Sequence, residues 1–91
     1  MTETQKNKKL KKDEKKKNLS TLLIWNDDVN SFDHIINSLV DICEHTTEQA
    51  EQCALIAHNT GKCNVKSGEK EELNIMKKAL NNRLIEATIE D

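Results

Sequence analysis

The first 18 residues carry eight lysines, and Met1 and Leu10 are their only apolar side chains. Such a segment cannot bury enough surface to offset the entropy of ordering it. Any folded structure must therefore come from residues 19–91. Charge divides at the same place. Residues 1–18 set eight Lys against Glu3, Asp13 and Glu14, a local charge of +5, while residues 19–91 set six basic against thirteen acidic side chains, a local charge of −7. The expected organisation is a disordered lysine-rich arm over 1–18 and one small acidic domain over 19–91. A two-domain enzyme built on a cofactor fold does not fit in this length. Uncharged apolar runs such as Leu22–Trp25 are far short of the roughly 20 residues of a membrane span. No apolar stretch of secretory-signal type is present in the arm, so a cytoplasmic location is expected.

Three cysteines, Cys43, Cys53 and Cys63, are spaced ten apart without a close pair. In a reducing compartment they read as small buried hydrophobes rather than a disulfide framework. A zinc site from Cys53, His58 and Cys63 is the sharper alternative, but structural zinc sites usually show two tight ligand pairs. No metal or cofactor is expected.

Leu19 to Trp25 is an apolar run suited to a buried strand. Asn26 to Ser31 is a turn, and Asn30 is the expected N-cap of the helix that follows. Phe32, Ile35, Ile36, Leu39, Val40 and Cys43 fall on one face of that helix. Thr46 and Gln49 have the spacing of a capping box for a second helix running to about Asn59, with Gly61 at its end. Its middle, Cys53 to Ala57, is apolar all round, predicting burial on two sides. Lys62 to Ser67 is a short, weak strand that breaks at Ser67-Gly68. Glu69, Glu71 and Glu72 suit the first turn of a third helix, whose buried stripe is Leu73, Met76 and Leu80. Leu84 to Glu90 alternates as a final strand with Ile85, Ala87 and Ile89 on one face. The order β-α-α-β-α-β predicts a two-layer α+β domain: a three-stranded antiparallel sheet covered by three helices on one face.

No nucleophile elbow, phosphate loop or dinucleotide fingerprint is present, so no catalytic residue is assigned and a binding module is expected. The candidate site lies where the first strand gives way to the first helix. Asn26, Asp27 and Asp28 offer oxygen acceptors there, and neutral His58, in the last turn of the second helix, offers a ring nitrogen. Each has an ordinary structural use, in turns for the acids and at a helix C-terminus for the histidine. Together they could hold a protonated amine through charge-assisted hydrogen bonds. Phe32, Ile35 and Ala54 could add a small apolar cavity, which suits a free peptide N-terminus with a bulky first residue.

The combination is more specific than its parts. Leu22-Leu23-Ile24-Trp25-Asn26-Asp27-Asp28, followed thirty residues later by His58-Asn59-Thr60-Gly61-Lys62, resembles the ClpS family, adaptors of the ATP-dependent Clp protease. The resemblance covers residues 20–91. It implies binding of proteins whose N-terminal residue is Leu, Phe, Tyr or Trp, the N-degrons, and their delivery to a Clp AAA+ unfoldase of the ClpA type through its N-terminal domain. It implies that Asn26, Asp27, Asp28 and His58 hold the α-amine, and that Phe32, Ile35, Ala54, Ala57 and Ile85 line the hydrophobic pocket. Glu71 and Lys77 on the third helix become the expected unfoldase contact, and the arm a participant in handover. A monomer is the expected state, with neither membrane nor nucleic acid as partner. Many members carry Met where this chain has Phe32 and Ala54, which leaves the accepted N-terminal residues open. A nucleic-acid- or ribosome-associated role for the lysine arm is the alternative. The arm's lack of Arg and aromatic residues, and the acidic domain behind it, argue against that role.

Overall fold

The computed structural model describes residues 19–91, so the arm and the expectation for it lie outside the described residues. The elements run β1 (Leu19–Trp25), α1 (Phe32–Cys43), α2 (Thr47–Thr60), β2 (Lys62–Glu69), α3 (Lys70–Asn82) and β3 (Ala87–Glu90). β1 is the central strand of an antiparallel three-stranded sheet ordered β2-β1-β3. That position explains its composition. A strand paired on both edges hides its backbone, and the run Leu22, Leu23 and Ile24 is at most 1% exposed. Leu22 and Ile24 join Cys63 and Val65 of β2 and Ala87 of β3 in one cluster with Leu39 and Cys43 of α1, Ala50, Cys53 and Ala57 of α2, and Leu73 and Leu80 of α3. This is the α+β architecture that the alternating pattern predicts.

Local chemistry fixes the joints. Thr46 and Gln49 form the expected capping box: the Gln49 N–H donates to Thr46 Oγ1 at 3.1 Å and the Thr46 N–H to Gln49 Oε1 at 2.9 Å. α2 ends at Gly61, whose φ of 102° lies in the left-handed region where a Cβ is strained. Three boundaries and one burial pattern differ from expectation. The N-cap of α1 is Ser31, whose Oγ accepts the His34 N–H at 3.0 Å, and Asn30 is released for other contacts. β2 continues through Ser67 and Gly68 to Glu69, because Ser20 and Leu19 of β1 pair with Gly68 and Glu69. β3 begins only at Ala87. Leu84 adopts a left-handed turn (φ 67°), and Ile85 donates its N–H back to the Leu80 carbonyl at 3.0 Å, so both belong to the exit from α3. On α2, Cys53, Ala54 and Ala57 are buried, but Leu55 and Ile56 are 46% and 43% exposed. The helix is therefore covered on one side only.

Leu39 is wholly buried in the shared cluster, whereas Ile75 on α3 is 71% exposed. Leu39→Ala is expected to destabilise the domain by about 2–5 kcal/mol and Ile75→Ala by less than about 0.5 kcal/mol. Urea denaturation of the two variants checks the contrast.

Candidate functional site

The site forms where β1 leaves the sheet. The Trp25 N–H donates to the Glu86 carbonyl at 3.0 Å, and the next N–H, of Asn26, donates to the Gly61 carbonyl at 2.9 Å. The end of β1 is thereby tied on one side to the approach to β3 and on the other to the α2–β2 joint. Trp25 is fixed further by its Nε1–H, which donates to Thr88 Oγ1 at 2.8 Å, and by the Lys62 ammonium 5.4 Å from its ring centroid.

Asp27 organises the turn that follows. Its Oδ1 accepts the N–H groups of Val29 and Asn30, each at 2.9 Å, and its Oδ2 accepts Asn30 Nδ2 at 2.9 Å. Asn30 Nδ2 also donates to the Leu84 carbonyl at 2.7 Å, and His34 Nε2 donates to the Arg83 carbonyl at 2.8 Å. The turn is thus latched to the exit of α3. Burial tends to raise the Asp27 carboxyl pKa, but the hydrogen bonds from Asn30 and Val29 and the charge of His34 outweigh it, and the net shift is downward.

A cavity of about 50 Å³ opens beside this turn. Ile24, Trp25, Asn26, Asp27 and Asn30 line it from β1 and the turn, Phe32 and Ile35 from α1, and Ala54, Ala57 and His58 from α2. Ala54 and Ala57 are each 4% exposed, so the α2 wall is smooth and small. The Phe32 ring meets the His58 imidazole edge to face, with centroids 6.4 Å apart and planes at 88°. The lining therefore combines amides, a carboxylate and an imidazole with aliphatic and aromatic side chains. Such an arrangement can accept a cationic donor and an apolar group on one ligand.

Seven of the residues singled out in the sequence come together here: Asn26, Asp27, Phe32, Ile35, Ala54, Ala57 and His58. Two do not line the cleft. Asp28 is exposed on the turn, and Ile85 lies in the central cluster at 1% exposure, drawn there by its hydrogen bond to the end of α3. Glu71 and Lys77 lie on α3, outside the cleft, and a six-residue separation places them about 120° apart around the helix axis. Asn30 is a lining residue that sequence reasoning assigned to a cap. Its signal was the spacing to Asp27, since a carboxylate three residues ahead can receive both its N–H and its side-chain amide. Cys53 and Cys63 meet in a different groove from His58, and no group of three or more His, Cys, Asp or Glu among the described residues is placed to hold a metal. Among the same residues no helix is long and apolar enough to cross a membrane.

Because its pKa is lowered by folding, Asp27 contributes stability above its unfolded pKa, and that contribution is lost as pH falls through the lower folded value. Asp27→Ala is expected to reduce stability by about 1–2 kcal/mol at pH 7, with the difference from the parent shrinking below pH of about 3.5. Melting temperatures of both proteins across acidic and neutral pH check this.

The family model for the ATP-dependent Clp protease adaptor protein ClpS matches residues 15–88. Among solved structures, that of Agrobacterium tumefaciens ClpS2 bound to L-phenylalaninamide superposes with a TM-score of 0.74 over 80% of this chain and 95% of the other. Sequence identity is 18%, so the likeness is one of fold. No curated protein sequence matches significantly. The matched span takes in all three helices, β1, β2 and the Asn26-Asp27-Asp28 turn, and on that basis the chain belongs to the ClpS family of Clp protease adaptors.

Proposed function

We propose that the cleft captures the N-terminal residue of proteins that begin with a bulky hydrophobic side chain, Leu, Phe, Tyr or Trp, and that the chain delivers them to a Clp AAA+ unfoldase of the ClpA type. The observation that carries this reading is the juxtaposition, in one cleft, of the Asn26 and His58 acceptors and the Asp27 carboxylate with the Ile35, Ala54 and Ala57 walls. A free α-amine is cationic and has three donors, and the side chain on the same Cα is apolar. The structurally similar A. tumefaciens ClpS2 is bound to a ligand with both features, an α-amine and a phenyl side chain.

The roles divide by what each group has left to give. Asn26 supplies an amide oxygen and neutral His58 a ring nitrogen. Asp27 already accepts three hydrogen bonds from its own turn, so it acts by its charge and by holding that turn. Asp28 adds negative charge from the rim. Glu71 and Lys77 on α3 face a different partner, the N-terminal domain of the unfoldase, and the lysine arm engages the same machine during handover.

Volume decides how the side chain enters. About 50 Å³ is well below the roughly 150 Å³ void that accepts benzene. A wall must therefore move, and Phe32, 42% exposed, is the least buried apolar wall. Swinging it from the His58 edge enlarges the cleft without disturbing the Ala54 and Ala57 wall. The absence of bulk at Ala54 also removes an obstacle to a branch at Cβ of the ligand, so Val- and Ile-first peptides are accepted more readily here than in a Met-lined cleft.

Fluorescence anisotropy with a labelled Leu-first peptide tests the capture. Binding is expected to the free amine and to vanish on acetylation. Asn26→Ala and His58→Ala are each expected to weaken it by roughly tenfold or more, the scale of one charge-assisted hydrogen bond. Equal binding of the acetylated peptide overturns the reading. Competition between Leu-first and Val-first peptides probes the pocket: Ala54→Met is expected to sharpen the preference for Leu by up to about tenfold, within the range of a few methylene contacts.

A further inference from the structure

The three cysteines are not equivalent. All are free thiols and all are buried, but Cys53 on α2 and Cys63 on β2 have their Sγ atoms 2.8 Å apart. Both sulfurs also approach the Asn64 carbonyl oxygen, Cys63 at 3.4 Å and Cys53 at 3.8 Å. They are 4% and 8% exposed, and both border a groove of about 400 Å³ between α2 and β2 that Gln52, Ile56 and Val65 also line. Cys43, 1% exposed, is not among the residues lining that groove. Burial, reinforced by the neighbouring Cys63, pushes the Cys53 thiol pKa well up, so this sulfur rests protonated between encounters with an oxidant.

We propose that Cys53 and Cys63 form an oxidisable pair, which a small hydroperoxide reaching them through the groove converts to an intramolecular disulfide pinning α2 to β2. One sulfur, as its thiolate, attacks the peroxide. The O–O bond breaks, the sulfur becomes a sulfenic acid, and the departing oxygen leaves as water. The second thiolate then attacks the sulfenic sulfur, the S–O bond breaks, and a second water leaves. Two thiols lose two electrons and two protons, and one hydroperoxide is reduced to two waters when the oxidant is hydrogen peroxide. The sulfurs are already in contact, so the bond of about 2.05 Å forms by a sub-ångström approach of α2 to β2. The closed loop contains Ala54, Ala57, His58 and Gly61, so oxidation constrains one whole wall of the cleft and the joint that receives the Asn26 N–H. The chemistry of the pair stands independently of what the cleft binds.

The test treats the reduced full chain with hydrogen peroxide, then denatures it, alkylates it and measures its intact mass. The oxidised chain is expected to take up one alkyl group where the reduced chain takes up three, and to be lighter by two hydrogens before alkylation. Dithiothreitol reverses the change. The melting temperature rises by roughly 10 °C on oxidation, as closing a short loop predicts. Cys53→Ala and Cys63→Ala each abolish the bond, and Cys43→Ala leaves it intact. Three alkylated thiols after peroxide, oxygen adducts on single sulfurs, a bond that uses Cys43, or a link between two chains overturns the proposal.

Discussion

The double pairing of β1 is the constraint on which the rest of the structure depends. A central strand buries its own side chains and places its C-terminal end between both neighbouring connections. Its last N–H groups reach Glu86 on the β3 side and Gly61 on the α2 side. The turn that leaves β1 therefore emerges where α1, α2 and the exit of α3 converge. The cleft is a consequence of that convergence. Its floor is Ile24 of the central strand, and its walls are the two helices that flank the exit.

Within the cleft, organising the backbone and offering acceptors fall to different residues. A carboxylate receiving three hydrogen bonds is held in place and held ionised, and this is the situation of Asp27. The Asn30 amide, linking Asp27 to the Leu84 carbonyl, makes the turn's shape depend on the α3–β3 corner more than fifty residues away. Arg83 at that corner also reaches Ser38 and Asp41 of α1, each at 3.3 Å. The shape of the turn is therefore held by the protein's own hydrogen bonds at both Asp27 and Asn30. The apolar wall behaves differently. Ala54 and Ala57 are buried and have no side-chain rotamers to choose between, whereas Phe32 is 42% exposed.

Much of the fold was legible in the sequence for identifiable reasons. The α1 stripe has strong 3.6-residue periodicity, the Thr46/Gln49 box is a local hydrogen-bond pattern, and Gly61 is needed where φ is positive. These depend on neighbours in the chain. The N-cap of α1, the length of β2 and the start of β3 do not. Ser31 displaced Asn30 because Asn30 has a partner at Leu84; β2 extends because β1 is there to pair with it; and Ile85 follows α3 into the core instead of the strand alternation.

The sequence by itself determined the type and order of the elements, the amphipathic faces, and a short acidic turn able to cap a helix or hold a cation. It also placed a histidine one helical turn past a small residue, which set Ala54 and His58 on one face. Only the tertiary structure decided that this face looks onto the turn, that Asp28 and Ile85 stay outside the cleft while Asn30 enters it, and that Cys53 and Cys63 meet. The reason is physical. Periodicity and capping act over a few residues, where the covalent chain sets the distance. Which groups then share a cavity depends on sheet register and helix packing, contacts between segments that the chain alone does not bring together.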